Sequence, residues 1–495
     1  MTTVVPLTVP QLLEAQARTS PEGTPFRIDG HALSYGQWER RSRSLAHGLL
    51  EAGIAPGMRI ALLFDGLDWF GYAVAYLGVL RCGGTAVHLN GHIPEAEIER
   101  RLIECGVSRI IHSEFLAPPA GFRRRCSPVA ALMSQNDEPL SIVLSPQSVA
   151  DIRYTSGTTG CAKAYMVSHA NLTFGRTLDS MRQFAQAASM LVPMTLGTTT
   201  SANILTIGLT SPSVLVLCSP LDVEHMGELI ERERITALMI TPHIAGQIVE
   251  ARLADRYDLS SIRVFASASA PLAPTLARAL LACVPGSILQ IACAQSEASP
   301  ALLTHTFIAE RPFSVGKPSA ITELKVVDPA GAAVAPGQVG EIWLRTPAPK
   351  RLFLNAPDVN ALLLRDGWHR TGDLGRIDEH GELEFFDRIV DALTDGDRLI
   401  SSVALEAILL EHQAVREAAI VGVPRHDGGQ EIVAFAVLRD PSALNAVREH
   451  VMSRVPVDHR PARILSVSAL PKTQNGKVLK RELRLDAHMC APMAS

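Results

Sequence analysis

The sequence predicts an α/β protein with a large N-terminal domain of parallel-rich sheets and helices, a small β-barrel within it, and a small α+β C-terminal domain. Three observations predict this. Short apolar runs alternate with helical segments up to about residue 320, the signature of βαβ units. After Ile321 the texture changes to apolar–polar alternation, the signature of antiparallel strands with one wet face. A break follows Phe386, and the remaining ~110 residues suffice for a separate small domain. The expected division is 1–387 and 388–495.

In chain order, Ser34-Tyr-Gly-Gln-Trp38 introduces a helix that runs through Leu50. Arg59–Phe64 reads as a buried parallel strand, Trp69–Leu80 as an apolar helix, and Val107–His112 and Val149–Tyr154 as further strands. The pattern recurs at Met190–Pro193, Ser213–Leu217, Ala237–Ile240 and Ile262–Phe265. Glu323–Asp328 and Val339–Leu344 are antiparallel strands, with Asp328-Pro-Ala-Gly331 as a turn. Beyond the break, Val403–His412 and Ser442–Arg454 are helical, and Ala418–Val423 and Ile432–Val437 are strands.

Bulk composition narrows the function. With 495 residues, 47% hydrophobic and 19% charged, the chain has the make-up of a globular enzyme of more than one domain. A net charge of −4, with Arg123–Arg125 the longest basic run, gives no reason to expect nucleic acid or an anionic membrane as partner. Ala202–Leu221 is the most apolar stretch, but Pro212, Pro220 and its hydroxyl residues mark it as buried helix and strand, not a membrane span. Eight cysteines without a C-x-x-C pair fit reduced thiols, and the first residues lack the pattern of a signal peptide, so the expected location is the cytoplasm.

The most informative segment is Tyr154–Lys163, Y-T-S-G-T-T-G-C-A-K. Gly157 and Gly160 let the backbone turn its N–H groups onto an anion, while Thr155, Ser156, Thr158 and Thr159 add hydroxyl donors and Lys163 a mobile charge. The segment reads as a grip for a polyphosphate, without the G-x-x-x-x-G-K-[ST] spacing of a P-loop.

It resembles the phosphate loop of the adenylate-forming superfamily, which contains acyl- and aryl-CoA ligases, peptide-synthetase adenylation domains and luciferases. Other motifs of that family follow in its order: Phe265–Leu272, Cys293-Ala-Gln-Ser-Glu297, Ser314–Pro318, Gly367–Leu374, Asp387-Arg388 with Asp391, and Leu470–Lys477. Together they span nearly the whole chain.

The resemblance implies an ATP-dependent enzyme that activates a carboxylic acid as an acyl or aryl adenylate, releases pyrophosphate and passes the acyl group to CoA. It assigns the β- and γ-phosphates to Thr155–Lys163, Mg²⁺ to Glu297, and a contact with the α-phosphate to Ser296. Asp373 accepts from both ribose hydroxyls and Arg388 reaches the ribose. Ala268, Cys293 and Ala294 lie along the adenine, and Leu196, Ser267 and Ala292 border the acid. Lys477, behind Asn475-Gly476, bridges the carboxylate and the α-phosphate as a catalytic cation, carried on a C-terminal lid that turns about a hinge near 388–391. His169 is read as structural, and Trp368 as packing.

Several departures bear on the acceptor. Cys293 replaces the aromatic that stacks on adenine, a contact worth about 1 kcal/mol. Leu196 or Thr195 stands where many CoA ligases carry a histidine, Val390 replaces a polar hinge residue, and Asp397 replaces a glycine beside the pantetheine passage. The alternatives to CoA are an amine, giving an amide, or a carrier-protein thiol. More distant readings are adenylation of an oxyacid such as nitrite, or a non-catalytic AMP- or acyl-binding descendant. Small, uncharged pocket positions point to an aromatic or alkyl acid, and no acidic residue is placed to receive the ammonium of an amino acid.

Overall fold

The computed structural model describes residues 6–155, 162–176, 189–211, 213–396, 398–425, 429–473 and 476–489. The helix expected after Ser34 spans Tyr35–Glu51, because Ser34 and Gln37 form a reciprocal cap: Gln37 N–H donates to Ser34 Oγ at 3.2 Å and Ser34 N–H to Gln37 Oε1 at 3.1 Å. The helix Trp69–Arg81 is apolar on every face and buried on every face. It fills the space between the Tyr35–Glu51 helix and the strands Arg59–Phe64 and Thr85–Asn90.

The expected strands form in two sheets. In the larger one, Ile288–Cys293, Val264–Ser267, Ala237–Ile240, Ser189–Pro193 and Val214–Cys218 are parallel neighbours in that order. All their carboxyl ends therefore lie along one edge. The second sheet sets Val149–Tyr154, Thr85–Asn90, Arg59–Phe64, Arg109–His112 and Cys126–Pro128 parallel, with Ala164–Ser168 returning antiparallel to Val149–Tyr154. Parallel strands buried on both faces need continuous apolar runs, which is why Arg59–Phe64 was legible.

The antiparallel region after Ile321 is hydrogen-bonded onto the larger sheet through Leu303–Thr306 and Ser314–Pro318. It continues with Leu383–Arg388, Trp368–Ile377, Gly340–Arg345 and Glu323–Val327. The Asp328–Gly331 turn closes with Gly331 N–H on Asp328 O at 2.9 Å.

The smaller C-terminal unit has Val415–Pro424 antiparallel to Gln430–Leu438, which runs parallel to Arg463–Ser466. Separate apolar clusters cover the two faces of this sheet, one containing Leu405, Ile420 and Val447, the other Val421, Phe435 and Leu483. The stretch around Ala202–Leu221 is the helix Thr199–Thr210 followed by the strand Val214–Cys218. Among the described residues no helix is long and apolar enough to cross a membrane.

Candidate active site

The strand Val149–Tyr154 leads into the segment expected to grip phosphates, and its anchoring is a buried polar network. Arg153 donates to Asp151 and, at 2.5 Å, to Asn203 Oδ1, while the Tyr72 hydroxyl meets His88 Nδ1 at 2.6 Å. Burial alone raises the Asp151 carboxyl, but the Arg153 guanidinium and His88 override it and hold it below the ordinary carboxylate range. The loop is closed at its base: Thr155 N–H donates to Lys163 O at 3.0 Å, and Lys163 N–H to Thr155 Oγ1 at 3.1 Å. Ser156, Gly157, Thr158, Thr159 and Gly160 lie outside the described residues.

The remaining candidates gather at the carboxyl edge of the larger sheet. Ala268 follows Val264–Ser267, and Ala292 and Cys293 end Ile288–Cys293, with Ala294, Ser296 and Glu297 just beyond. The thiol of Cys293 is pushed up to about 12 by burial, reinforced by Asp373, so it stays protonated and inert. Ser267 is buried, and Leu196 is fully covered within the apolar core, so neither offers an open wall. The backbone at Leu196 is pinned where Asn90 Nδ2 donates to Leu196 O at 2.5 Å. The next residue is glycine of necessity: Gly197 has φ +71°, and a Cβ there would stand 2.1 Å from Leu89 O. Beside Ala268, Ser269 holds φ +83°, a strained value for a residue with a side chain.

Asp373 and Arg388 face each other across the Trp368–Ile377 and Leu383–Arg388 pair, with Arg388 Nε 3.7 Å from Asp373 Oδ1. Gln295 Nε2 donates to Asp373 Oδ2 at 2.6 Å and to Thr371 O at 2.9 Å, which fixes one carboxylate oxygen. Burial raises the Asp373 carboxyl to about 6, against the pull of Arg388, Gln295 and Lys477. The C-terminal unit brings Lys477 into the same place. Burial, reinforced by Arg388, lowers its ammonium below the usual lysine value, while Asp373 and Glu297 pull it back up. Its loop is a tight turn in which Gly476 N–H donates to Thr473 O at 2.9 Å and Thr473 N–H to Lys477 O at 2.8 Å.

Near the expected hinge, Arg388 is turned to Asp373, while its neighbours Asp387 and Asp391 have other partners. Asp387 Oδ2 accepts from Ser402 N–H at 2.6 Å and Ser402 Oγ at 2.7 Å, and Asp391 Oδ1 accepts from Arg484 at 2.6 Å. Val390 is exposed, and Asp397 lies outside the described residues. His169 Nδ1 accepts from Val9 N–H at 3.3 Å, and burial lowers its imidazole to about 4, so it is a neutral structural residue. Trp368 packs under Lys325 and Arg345, 4.6 and 4.5 Å from its ring.

Sequence reasoning missed Gln295 and Arg351. Arg351 is buried, and it donates to Ser296 O at 2.6 Å and to Asn171 Oδ1 at 2.9 Å. It thereby holds the turn that carries Ser296 and Glu297. Burial lowers its guanidinium to about 10. The one available signal was an arginine set against the apolar Leu352–Leu354 run, and its partners are far away in sequence. Arg351→Met should leave two buried acceptors unpaired and cost about 2–4 kcal/mol in thermal unfolding. An unchanged melting temperature would remove Arg351 from this role.

Comparison with known proteins identifies the family. Residues 13–352 match the AMP-binding enzyme family and residues 404–477 the AMP-binding enzyme C-terminal domain. Feruloyl-CoA synthase of Amycolatopsis sp is 30% identical over 95% of this chain and 97% of its own length. 4-Coumarate–CoA ligase 5 of Oryza sativa subsp. japonica is 29% identical over 92% of this chain and 89% of its own. Among solved structures, the amide bond synthetase McbA of Marinactinospora thermotolerans superposes with a TM-score of 0.81 at 25% identity, covering 97% of this chain and 99% of that one. The phosphate-loop strand, the Asp373–Arg388 pair and the C-terminal lysine thus sit in a chain that belongs to the AMP-binding enzyme family, and it is an ATP-dependent, AMP-forming ligase.

Proposed function

We propose that this chain activates an aromatic carboxylic acid as its adenylate and transfers the acyl group to CoA. The observation that carries the reading is the convergence of Lys477, from the C-terminal unit, with Asp373, Glu297 and Arg388 at one sheet edge. Similarity to CoA ligases named for ferulate and 4-coumarate supports the acid class and the acceptor. Ala292, small and uncharged, suits an aromatic group.

In the first half-reaction a carboxylate oxygen attacks the α-phosphorus of ATP and pyrophosphate leaves. Lys477 holds the carboxylate against the phosphate and offsets the charge that develops on the phosphate oxygens, with Ser296 as a hydroxyl donor beside it. Thr155, the 156–160 segment and Lys163 grip the β- and γ-phosphates. Asp373 receives the ribose hydroxyls, which fits a buried carboxylate with one oxygen already fixed by Gln295 and the other turned to Arg388. Glu297 would hold Mg²⁺, which would neutralise phosphate charge. The C-terminal unit, 388–495, then turns about 388–391 against 1–387. The CoA thiol loses its proton, its sulfur attacks the acyl carbon, and AMP leaves.

An amine acceptor is the second reading, favoured by the likeness to an amide bond synthetase along almost the whole chain. A panel of acids headed by ferulate and 4-coumarate, scored for pyrophosphate release with hydroxylamine as acceptor, tests the first half-reaction. Aromatic acids should give pyrophosphate and hydroxamate in equal amounts. Release with amino acids alone, or with none of the acids, would contradict the proposal.

Glu297→Gln keeps size and polarity but removes the anionic ligand. Pyrophosphate release should fall about tenfold or more, and half-maximal activity should need more Mg²⁺. An unaltered Mg²⁺ titration would remove Glu297 from the metal site.

A further inference from the structure

Lys477 can act only if its loop is seated to within about an ångström, since a displacement of that size costs on the order of a hundredfold in rate. The large domain meets that loop through the helix Pro242–Glu250, which begins at the carboxyl end of the strand Ala237–Ile240, on the edge that carries the site. His243 lies in its first turn, directly against Gly476. Gly476 has φ +77°, and a Cβ there would stand 2.9 Å from His243 Cβ and 3.4 Å from Cγ. Lys472 and Glu417 of the C-terminal unit, 2.7 Å apart, and Glu250 of the helix itself act on the same imidazole. At the other end of the helix, about 10 Å away by helical rise, Glu250 pairs with Arg439 of the C-terminal unit at 3.1 Å.

The geometry points to the helix Pro242–Glu250 as the seat of the C-terminal unit for adenylate formation, with His243 and Glu250 as positioning residues that set Lys477 against Asp373 and Glu297. This rests on the role proposed above for Lys477. Two contacts at opposite ends of one helix fix both the position and the tilt of the incoming unit, which a single contact cannot do. The steric contact at Gly476 sets the depth of approach. Glu250 and Arg439 are partly exposed, so their pair is weak and opens readily, as a contact remade in each catalytic cycle must.

Hydrogen–deuterium exchange on the full chain tests the seat without any substrate. Arg439→Glu places like charges at the far end and should raise deuterium uptake in segments 242–250 and 471–479 about threefold. Combining it with Glu250→Arg should restore uptake to that of the parent. With the acid selected by the panel, Arg439→Glu should slow pyrophosphate release about two- to fivefold, the scale of an exposed ion pair, and leave conversion of preformed acyl-adenylate to thioester unchanged. Gly476→Ala should slow release at least tenfold, with part of the loss recovered by His243→Gly, which removes the Cβ that the new methyl meets. Unchanged uptake in Arg439→Glu, or a double variant that behaves like the single one, would overturn the proposal. If the uptake results hold but Lys477→Ala still releases pyrophosphate at the parent rate, the seat stands and the role given to Lys477 fails.

Discussion

Lys477→Ala is expected to suppress pyrophosphate release by about a hundred- to a thousandfold, the scale set by removing one preorganised charge partner from a developing oxyanion. The cause is local. Without the ammonium, the site keeps the carboxylates of Asp373 and Glu297 and loses the cation that these two carboxylates favour against the pull of burial and Arg388. The fold should survive, because the turn around Lys477 is made by Thr473 and Gly476 backbone groups and the Thr473 hydroxyl. Thermal unfolding should therefore shift by less than about 1 kcal/mol. Thioester formation from preformed acyl-adenylate should stay near the parent rate. Unimpaired pyrophosphate release would show that Lys477 is a surface lysine with no part in the chemistry.

Asp373→Ala is expected to lower kcat/KM for ATP by about a hundredfold or more, since two hydrogen bonds from ribose to a charged acceptor are lost. The parent enzyme carries its own signature of this residue. Burial raises the Asp373 carboxyl to about 6, so it is neutral below that pH and ionised above it. In the proposed role, as acceptor of two ribose hydroxyl protons, it works when ionised. kcat/KM for ATP should therefore rise as the pH climbs through about 6, and the variant should lack that inflection. Stability runs the other way. A carboxyl harder to ionise in the folded chain contributes stability that is full below the ordinary carboxylate range of about 4 and is lost as the pH rises through 6. A flat profile between pH 5 and 7 in the parent would remove Asp373 from the ribose site.

Much of the fold was legible because parallel strands buried on both faces must be written as apolar runs. Arg59–Phe64 takes its expected bounds for that reason; Ala237–Ile240 is apolar throughout, though only Leu238 and Ile240 are fully buried, and Val149–Tyr154 takes its bounds with Asp151 and Arg153 paired inside it. The joining of the antiparallel strands to the larger sheet was not legible. It is made by Leu303–Thr306 and Ser314–Pro318, short strands whose pairing is set by partners far away in sequence.

The candidate site was read from motifs whose residues lie close together in sequence: one follows Val149–Tyr154 in the second sheet, others end strands of the larger sheet or lie in its antiparallel extension, and the last comes from the C-terminal unit. What escaped were the residues that hold them. Gln295 fixes Asp373 across 78 positions, Arg351 fixes Ser296 across 55, and His243 meets Gly476 from the other unit. None of these has a local pattern, since the signal is a contact that exists only after folding. Leu196 shows the converse. It stands at the motif position expected to border the acid, yet its side chain belongs to the core and only its carbonyl is used, by Asn90. The Asp397 departure, which bears on the acceptor passage, lies outside the described residues.

Product analysis decides whether the adenylate ends on CoA. The enzyme is incubated with ATP, Mg²⁺, CoA and the best acid of the panel, and all products are quantified by mass spectrometry. AMP, pyrophosphate and acyl-CoA should form in equal amounts. ADP and phosphate in place of AMP and pyrophosphate, or hydroxamate forming with hydroxylamine while no acyl-CoA forms with CoA, would contradict the proposed function.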